Sequence, residues 1–325
     1  MANQDRLELG PPQPADSGVM ASQAVTGTAR TGLLRTTNAR ATAALGSLLG
    51  QFRLALRTPA GRIGLPLVLL HLIIALAGPW LAPYAPTAFV GSQLEPPSWQ
   101  FLMGTDQFGR DILSRVMSGA GSIIAVSVAG AALGIALGTL VGMASGYKGG
   151  RTDEVVMRVM DGLMSFPSLL MALLVLTSLG ANAANIVLTI GVVFTAPVSR
   201  VMRSITLSLK TQEFVQSARM RGEPVPYIIF REILPNTLPV LAVEGSVRLS
   251  YAILLASSLG FLGLGVQPPS PDWGLMISES RRFIVVAPWV ALAPAVAVAT
   301  LIVGVNLLTD GIRQARTLPR EGTQV

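Results

Sequence analysis

Glu213-Phe214-Val215-Gln216-Ser217-Ala218-Arg219-Met220-Arg221-Gly222, followed by Glu232-Ile233-Leu234-Pro235-Asn236, is a polar stretch set between two strongly apolar ones. Phe214, Ala218 and Arg221 recur at i, i+4 and i+7, which predicts one face of a short helix, with Gln216 and Arg219 pointing elsewhere. Gly222 ends that helix, because glycine takes the left-handed backbone of a helix C-terminus at little cost. A second short helix is expected over 226–233, and Pro235 marks the return of the chain to apolar surroundings. The basic residues hold this unit at a membrane surface. It reads either as a docking element for a soluble partner or as an interfacial amphipathic helix without one.

Outward from this stretch the chain is too apolar for a soluble domain. Of its 325 residues 51% are hydrophobic and 13% charged, and its mean hydropathy is +0.58. Crossing a bilayer takes about 20 mostly apolar residues. Windows of that kind lie at 63–82, 122–142, 156–179, 186–201, 238–260 and 288–308. The expectation is an all-α membrane protein with six transmembrane helices, built from a six-span domain over 51–320. Gly130, Gly134, Gly138 and Gly142 put small residues at four-residue spacing in the second window, which permits close helix–helix approach. Residues 1–50 are rich in Ala, Gly, Thr, Ser and Pro and are read as a disordered cytoplasmic tail. Without an apolar core in its first 20 residues, that tail is not a cleavable signal peptide. A mildly amphipathic piece over 48–62 leads into the membrane along the interface.

Charge placement orients the spans. All but Arg110, Arg115, Arg248, Arg281 and Arg282 of the 24 lysines and arginines fall in the tail and the 48–62 piece that follows it, in the loops near 148–158 and 200–231, or after the last span. By the positive-inside rule these face the cytoplasm, so both termini do as well. The same placement accounts for the net charge of +7 without nucleic acid, for which no recognised module is present. The chain has no cysteine, hence no disulfide, thiol nucleophile or thiolate metal site. Its single histidine, His71, lies within an apolar run and is read as bonding to a neighbouring helix, with a proton relay as the alternative. No Gly-Lys-Ser/Thr phosphate loop, no Ser/His/Asp arrangement and no metal cluster is legible. The chain is therefore not an enzyme, and it carries no cofactor of its own.

Glu244 and Arg248 stand one helical turn apart inside the fifth apolar window, where charge is expensive and often functional. Two readings stay open: a self-neutralising structural pair, or a translocation path in which Arg248 attracts a carboxylate.

The docking stretch resembles the EAA signature of the membrane subunits of bacterial ABC importers. Gln216-Ser217-Ala218 occupies the triplet, Gly222 the glycine, and Leu234-Pro235 the end. Three further stretches resemble the dipeptide/oligopeptide/nickel permeases of the C-subunit type. They are Gly104-Thr105-Asp106-Gln107-Phe108-Gly109-Arg110-Asp111 with Ser114-Arg115; Gly146-Tyr147-Lys148-Gly149-Gly150 with Asp153, Met157-Arg158 and Asp161; and Phe261 to Pro269 with Trp273-Gly274. The four occur in the family's order over about residues 60–315.

The resemblance implies a type I ABC importer permease fold in the bacterial inner membrane. It implies a homologous second permease subunit, two cytoplasmic ATPase subunits or domains that bind ATP and Mg, and an extracytoplasmic solute-binding protein. The docking loop, about 203–235, would meet the ATPase through Glu213, Gln216, Ser217, Ala218, Arg219, Arg221, Gly222, Leu234 and Pro235. The segment around Asp106, Arg110 and Asp111 is either an ordered external loop held by Asp–Arg pairing and glycine turns or a face for the binding protein. Gln267 and Trp273 belong to a second such segment. The 148–161 stretch is a charge-balanced turn or a supporting ATPase contact. Transport of di- or oligopeptides by alternating access is the expected function. Nickel, glutathione or another small solute is the alternative cargo, and a stand-alone secondary transporter or channel is the alternative class.

Overall fold

The computed structural model describes residues 56–317. The 1–50 tail and most of the 48–62 piece lie outside them. Among the described residues regular structure is helical, and the only strand-like pairing is an isolated antiparallel bridge between Thr105 and Asp111. The helices are α1 (Pro59–Leu81), α2 (Ile112–Lys148), α3 (Gly150–Ser165), α4 (Ser168–Leu179), α5 (Ala183–Leu209) and α6 (Glu213–Met220). A short α7 (Val225–Tyr227) runs through a π-helical turn (Ile228–Ile233) into α8 (Leu234–Phe261). After these come α9 (Trp273–Ser280), a 3-10 turn (Arg281–Phe283) and α10 (Pro288–Thr317).

Local sequence sets several of these boundaries. Thr58 caps α1 by accepting the Gly61 N–H at 3.2 Å, with Pro59 at the first position, where a missing N–H costs nothing. Asp111 caps α2, its carboxylate accepting the Ser114 N–H at 2.8 Å and the Ser114 hydroxyl at 2.5 Å. Pro235 sits in the first turn of α8, so the chain turns back toward the membrane without breaking the helix there.

Among the described residues five helices are long and apolar enough to cross a membrane: α1, α2, α5, the continuous run Val225–Phe261, and α10 over Pro288–Ala315. At about 1.5 Å per residue, the 37 residues of α2 extend roughly 55 Å, well past a hydrocarbon layer of about 30 Å. Its two ends therefore reach the polar segments on opposite sides. The third window, read from sequence as one span over 156–179, is instead two helices, α3 and α4, bent by 89°. Pro167 causes the break. It lacks an N–H and disfavours helical backbone at the residue before it, and Phe166 is extended at φ −88°, ψ 134°. α3 is amphipathic, with Arg151, Asp153, Glu154, Arg158 and Asp161 along it.

The most extensive helix contact joins α2 to α5. The glycine stripe of α2 makes it possible and runs one step beyond the four positions noted in the sequence, to Gly146. A methyl on Gly134 would lie 2.7 Å from Phe194 Cβ, and one on Gly142 would collide with the Ser199 carbonyl. Packing is thus the role of the stripe. One apolar core is built around α2, α4, α5, α8, α9 and α10. A second, smaller core of Met143, Val198, Met202, Val215, Ala218, Ile228 and Ile233 seats the α6–π-turn segment. Leu69, Leu70, Ile73 and Leu76 of α1 face outward, as lipid-facing side chains do.

Candidate functional site

The 213–235 segment is a pinned hairpin of short helices. Val215 and Ala218 of α6 and Ile228 and Ile233 of the π-helical turn are all at most 1% exposed. Of the Phe214–Ala218–Arg221 face read from the sequence, Ala218 is buried, Phe214 is half-buried against the same core and Arg221 is exposed at the cap, while Val215 is the other fully buried residue of α6. Gly222, at φ +77°, closes α6 with two reversed bonds: its own N–H to the Arg219 carbonyl at 2.9 Å, and the Glu223 N–H to the Ala218 carbonyl at 3.2 Å. Arg221 spans the turn, 3.7 Å from Glu223 and 3.5 Å from Glu232.

Arg219 points inward along the surface. Its Nε donates to the Tyr147 hydroxyl at 3.1 Å, and its guanidinium lies 4.8 Å over that ring. Gln216 donates to the Lys210 carbonyl at 3.0 Å, tying α6 to the end of α5. Ser217 is half-buried, Leu234 likewise, and Glu213 and Pro235 are exposed. Much of the outward surface is apolar: Met220 is 82% exposed and Phe230 49%, beside Val225 and Tyr227. Sequence reading passed over these four, although Met220 falls opposite the Val215–Ala218 face on a helical wheel.

Beside this hairpin, α3 is clamped to α5. Arg203 makes a two-point bond to Asp153 (2.6 and 2.5 Å), and Arg200 bonds Asp161 through Nε and Nη2 (3.1 and 2.5 Å). The 148–161 stretch is thus the start of a helix held by long-range pairs, not a turn. A cavity of about 560 Å³ opens between the two helices, lined by both pairs together with Glu154 and Arg158.

At the opposite end of α2, Asp106 organises the 82–111 segment. Its Oδ1 accepts the N–H groups of Phe108 (2.8 Å) and Arg110 (3.0 Å). Its Oδ2 meets Arg110 Nε at 2.7 Å and Arg115 Nη1 at 3.1 Å. Gln107 donates to Glu279 on α9 at 3.2 Å. The Asp–Arg pairing expected from the motif is present, with Arg115 and Glu279 added to it. Asp106 and Asp111 are each 3% exposed, so both act inside the loop.

Trp273 was expected on an external contact face and is instead 1% exposed. Its indole donates to the Val116 carbonyl at 2.9 Å, and its ring meets His71 edge-on at 6.2 Å. His71 Nδ1 lies 2.8 Å from the Leu67 carbonyl, and its Nε2 faces the Ala297 carbonyl (3.2 Å) and the Thr300 hydroxyl (3.3 Å), so the ring joins α1 to α10. Burial of Trp273 follows from Gly119 opposite it, where a Cβ would come within 3.0 Å of the indole. Before it, Asp272 caps α9 through the Leu275 N–H at 2.8 Å, inserted among Gly260, Gly265 and Gly274. Burial pushes its carboxyl above the ordinary range, partly offset by backbone N–H bonds. Gln267 is exposed, its amide folded back onto the Gly263 and Gly265 carbonyls.

Within the membrane, Glu244 and Arg248 form the expected pair, Arg248 Nε and Nη2 lying 2.6 and 2.5 Å from Glu244 Oε1. Arg248 also lies 5.8 Å over Phe194 and 6.0 Å over Tyr251. It lines a cavity of about 350 Å³ between the α3–α4 elbow, α5 and α8.

Sequence comparison places this architecture. The family described as binding-protein-dependent transport system inner membrane component matches residues 134–317, which contain α3 to α10. The di/tripeptide transport system permease protein DppC of Pseudomonas aeruginosa (strain UCBPP-PA14) is 36% identical over 259 residues, 78% of this chain and 86% of that protein. The glutathione transport system permease protein GsiD of Escherichia coli O6:K15:H31 is 41% identical over 250 residues, 76% and 82% of the two chains, and GsiD of Shigella boydii serotype 4 gives the same figures. A helical membrane domain of this length, covered over most of both chains, belongs to that family: the protein is a multi-pass inner-membrane permease subunit of an ABC importer.

Proposed function

We propose that this chain is one of two permease subunits of an ATP-driven importer of di- or oligopeptides. The observation that carries the cargo is the pair of names its relatives bear: di/tripeptides for one and glutathione for the other, itself a tripeptide. Glutathione is the second reading, favoured by the higher identity to GsiD. Family membership displaces the stand-alone transporter or channel.

In this reading the second permease subunit is a homologue and the path runs between the two, with Glu244 and Arg248 on its wall. Both termini face the cytoplasm. Two ATPase subunits or domains bind ATP and Mg there and receive the 213–235 hairpin. A solute-binding protein docks on the other side, where Arg110 and Gln267 offer side chains to it. Alternating access requires the ATPase to contact the hairpin differently in its two states. A hairpin seated by four buried apolar residues transmits such a change as a rigid body, because a close-packed core does not deform continuously.

The test is purification of the tagged full chain from its native membrane, followed by uptake. Retention of ATPase subunits, with loss of labelled alanyl-alanine uptake on deletion of the gene, is the expected result. A chain that purifies without an ATPase, or a deletion strain that takes up both alanyl-alanine and glutathione normally, would overturn it.

A further inference from the structure

The cavity beside Arg248 has a composition that no structural role of the Glu244–Arg248 pair requires. At about 350 Å³ it falls at the lower end of small-molecule sites, roughly 300–1,000 Å³. Among the described residues Arg248 is the one charged residue on its wall; Glu244 is not on it. The salt bridge occupies Nε and Nη2, both directed at a single carboxylate oxygen, which leaves the two N–H groups of Nη1 over. A planar guanidinium with a free edge is matched to a carboxylate. The rest of the wall is mostly apolar and aromatic, with Phe166, Met171, Phe194 and Tyr251 around the arginine.

A third element comes from the backbone. Pro197 and Val193 both line the cavity, and they are four residues apart on α5. Proline has no N–H to return to the carbonyl four residues before it, so Val193 lacks its ordinary helical donor. The residue bearing that undonated carbonyl thus lines the same cavity as a guanidinium donor and an apolar wall. A short peptide chain end carries the complement of all three: a free carboxylate, an amide or ammonium N–H, and a side chain.

We propose that the cavity at the α3–α4 elbow is a carboxylate subsite for the C-terminal end of a short peptide. Arg248 Nη1 binds the carboxylate, and Phe166, Met171, Phe194 and Tyr251 receive the adjoining apolar side chain. Glu244 neutralises Arg248 when the subsite is empty and keeps the guanidinium in place. The proposal deepens the importer reading and rests on it.

The probe is alanyl-phenylalanine against its C-terminal amide, followed by ligand-observed NMR on the full chain in phosphatidylcholine nanodiscs. Since Arg248→Gln alone would strand Glu244 as an unpaired carboxylate, the informative variant is Glu244→Gln with Arg248→Gln. A charge-assisted hydrogen bond corresponds to about tenfold or more in affinity, so the wild type should prefer the acid over the amide by at least that ratio. The double variant should bind both with the weak affinity of the amide. Equal binding of acid and amide by the wild type, no binding of either, or an undiminished preference in the double variant would each overturn the subsite. ATPase co-purification is read on the same samples: if it persists while the acid preference is absent, the subsite fails and the importer reading stands. If it is absent from the wild type, the importer reading itself fails.

Discussion

Arg219 and Tyr147 join the 213–235 hairpin to the end of α2, guanidinium over ring at 4.8 Å and Nε to hydroxyl at 3.1 Å. An arginine expected to reach for a partner is instead engaged within the chain, and it couples the hairpin to the longest helix of the bundle. An exposed cation–π contact contributes about 0.5–1 kcal/mol. A double-mutant cycle with Arg219→Ala and Tyr147→Leu, followed by thermal unfolding in detergent, should give a coupling energy of that size. Faster hydrogen exchange over α6 in either single variant is the companion observation; no coupling and unchanged exchange would show the contact to be incidental.

Buried and exposed residues of the hairpin should separate stability from partner binding. Ile233→Ala removes most of a fully buried side chain and should destabilise the protein by about 2–5 kcal/mol. Met220→Glu, at a position 82% exposed, should leave the melting temperature within a degree or two while lowering ATPase co-purification. If Met220→Glu retained a full complement of ATPase, the exposed apolar face would not be the contact.

Two glycines should respond oppositely to alanine. At Gly142 the added methyl meets the Ser199 carbonyl and Met202 Cβ, backbone and near-backbone atoms that cannot yield unless α5 shifts. A loss of about 1–3 kcal/mol is expected from such overpacking. At Gly162, within α3, nothing among the described residues lies within 4 Å of the new methyl, so the helix propensity gain of roughly 1 kcal/mol should appear as a stabilisation. Melting temperatures of the two variants check both signs.

Asp272 gives a pH dependence with a defined sign. Burial raises its carboxyl above the ordinary value of 3.8, so the folded chain holds the proton more tightly than the unfolded one. Its contribution to stability is complete below 3.8 and is lost as pH rises through the raised folded value. Asp272→Asn does not titrate and bears any fixed mismatch of its amide with the nearby N–H groups equally at every pH. The melting temperature of the wild type relative to this variant should therefore fall as pH climbs out of the acid range. A difference that rose with pH would mean that the backbone N–H bonds outweigh burial.

Much of the architecture was legible because it is written in local chemistry. Apolar length marked five spans as helices, Gly222 marked the end of α6, and Asp106 with Arg110 marked a paired loop. Which residue of α6 is buried most deeply was not legible because Phe214 and Val215 are equally apolar; both pack toward the core of Met143, Val198 and Met202, and only the tertiary structure puts Val215 fully inside. Trp273 was placed outside for a similar reason. A tryptophan after a proline-rich segment carries no mark of the Gly119 that makes room for it on a helix more than 150 residues earlier.

The amino-acid sequence by itself determined a helical membrane protein, the order of its motifs and the family they belong to, since hydropathy and short-range spacing are sums over neighbours in the chain. Only the tertiary structure decided where the charged residues point. Arg219 turned to Tyr147, Arg203 to Asp153 and Arg115 to Asp106, because the energy of a charge depends on what lies within a few ångströms of it. The bend at Phe166–Pro167 belongs to both levels. The proline permits it locally, but the clamp of α3 to α5 through Asp153 and Asp161 shows where α3 is held once the helix breaks.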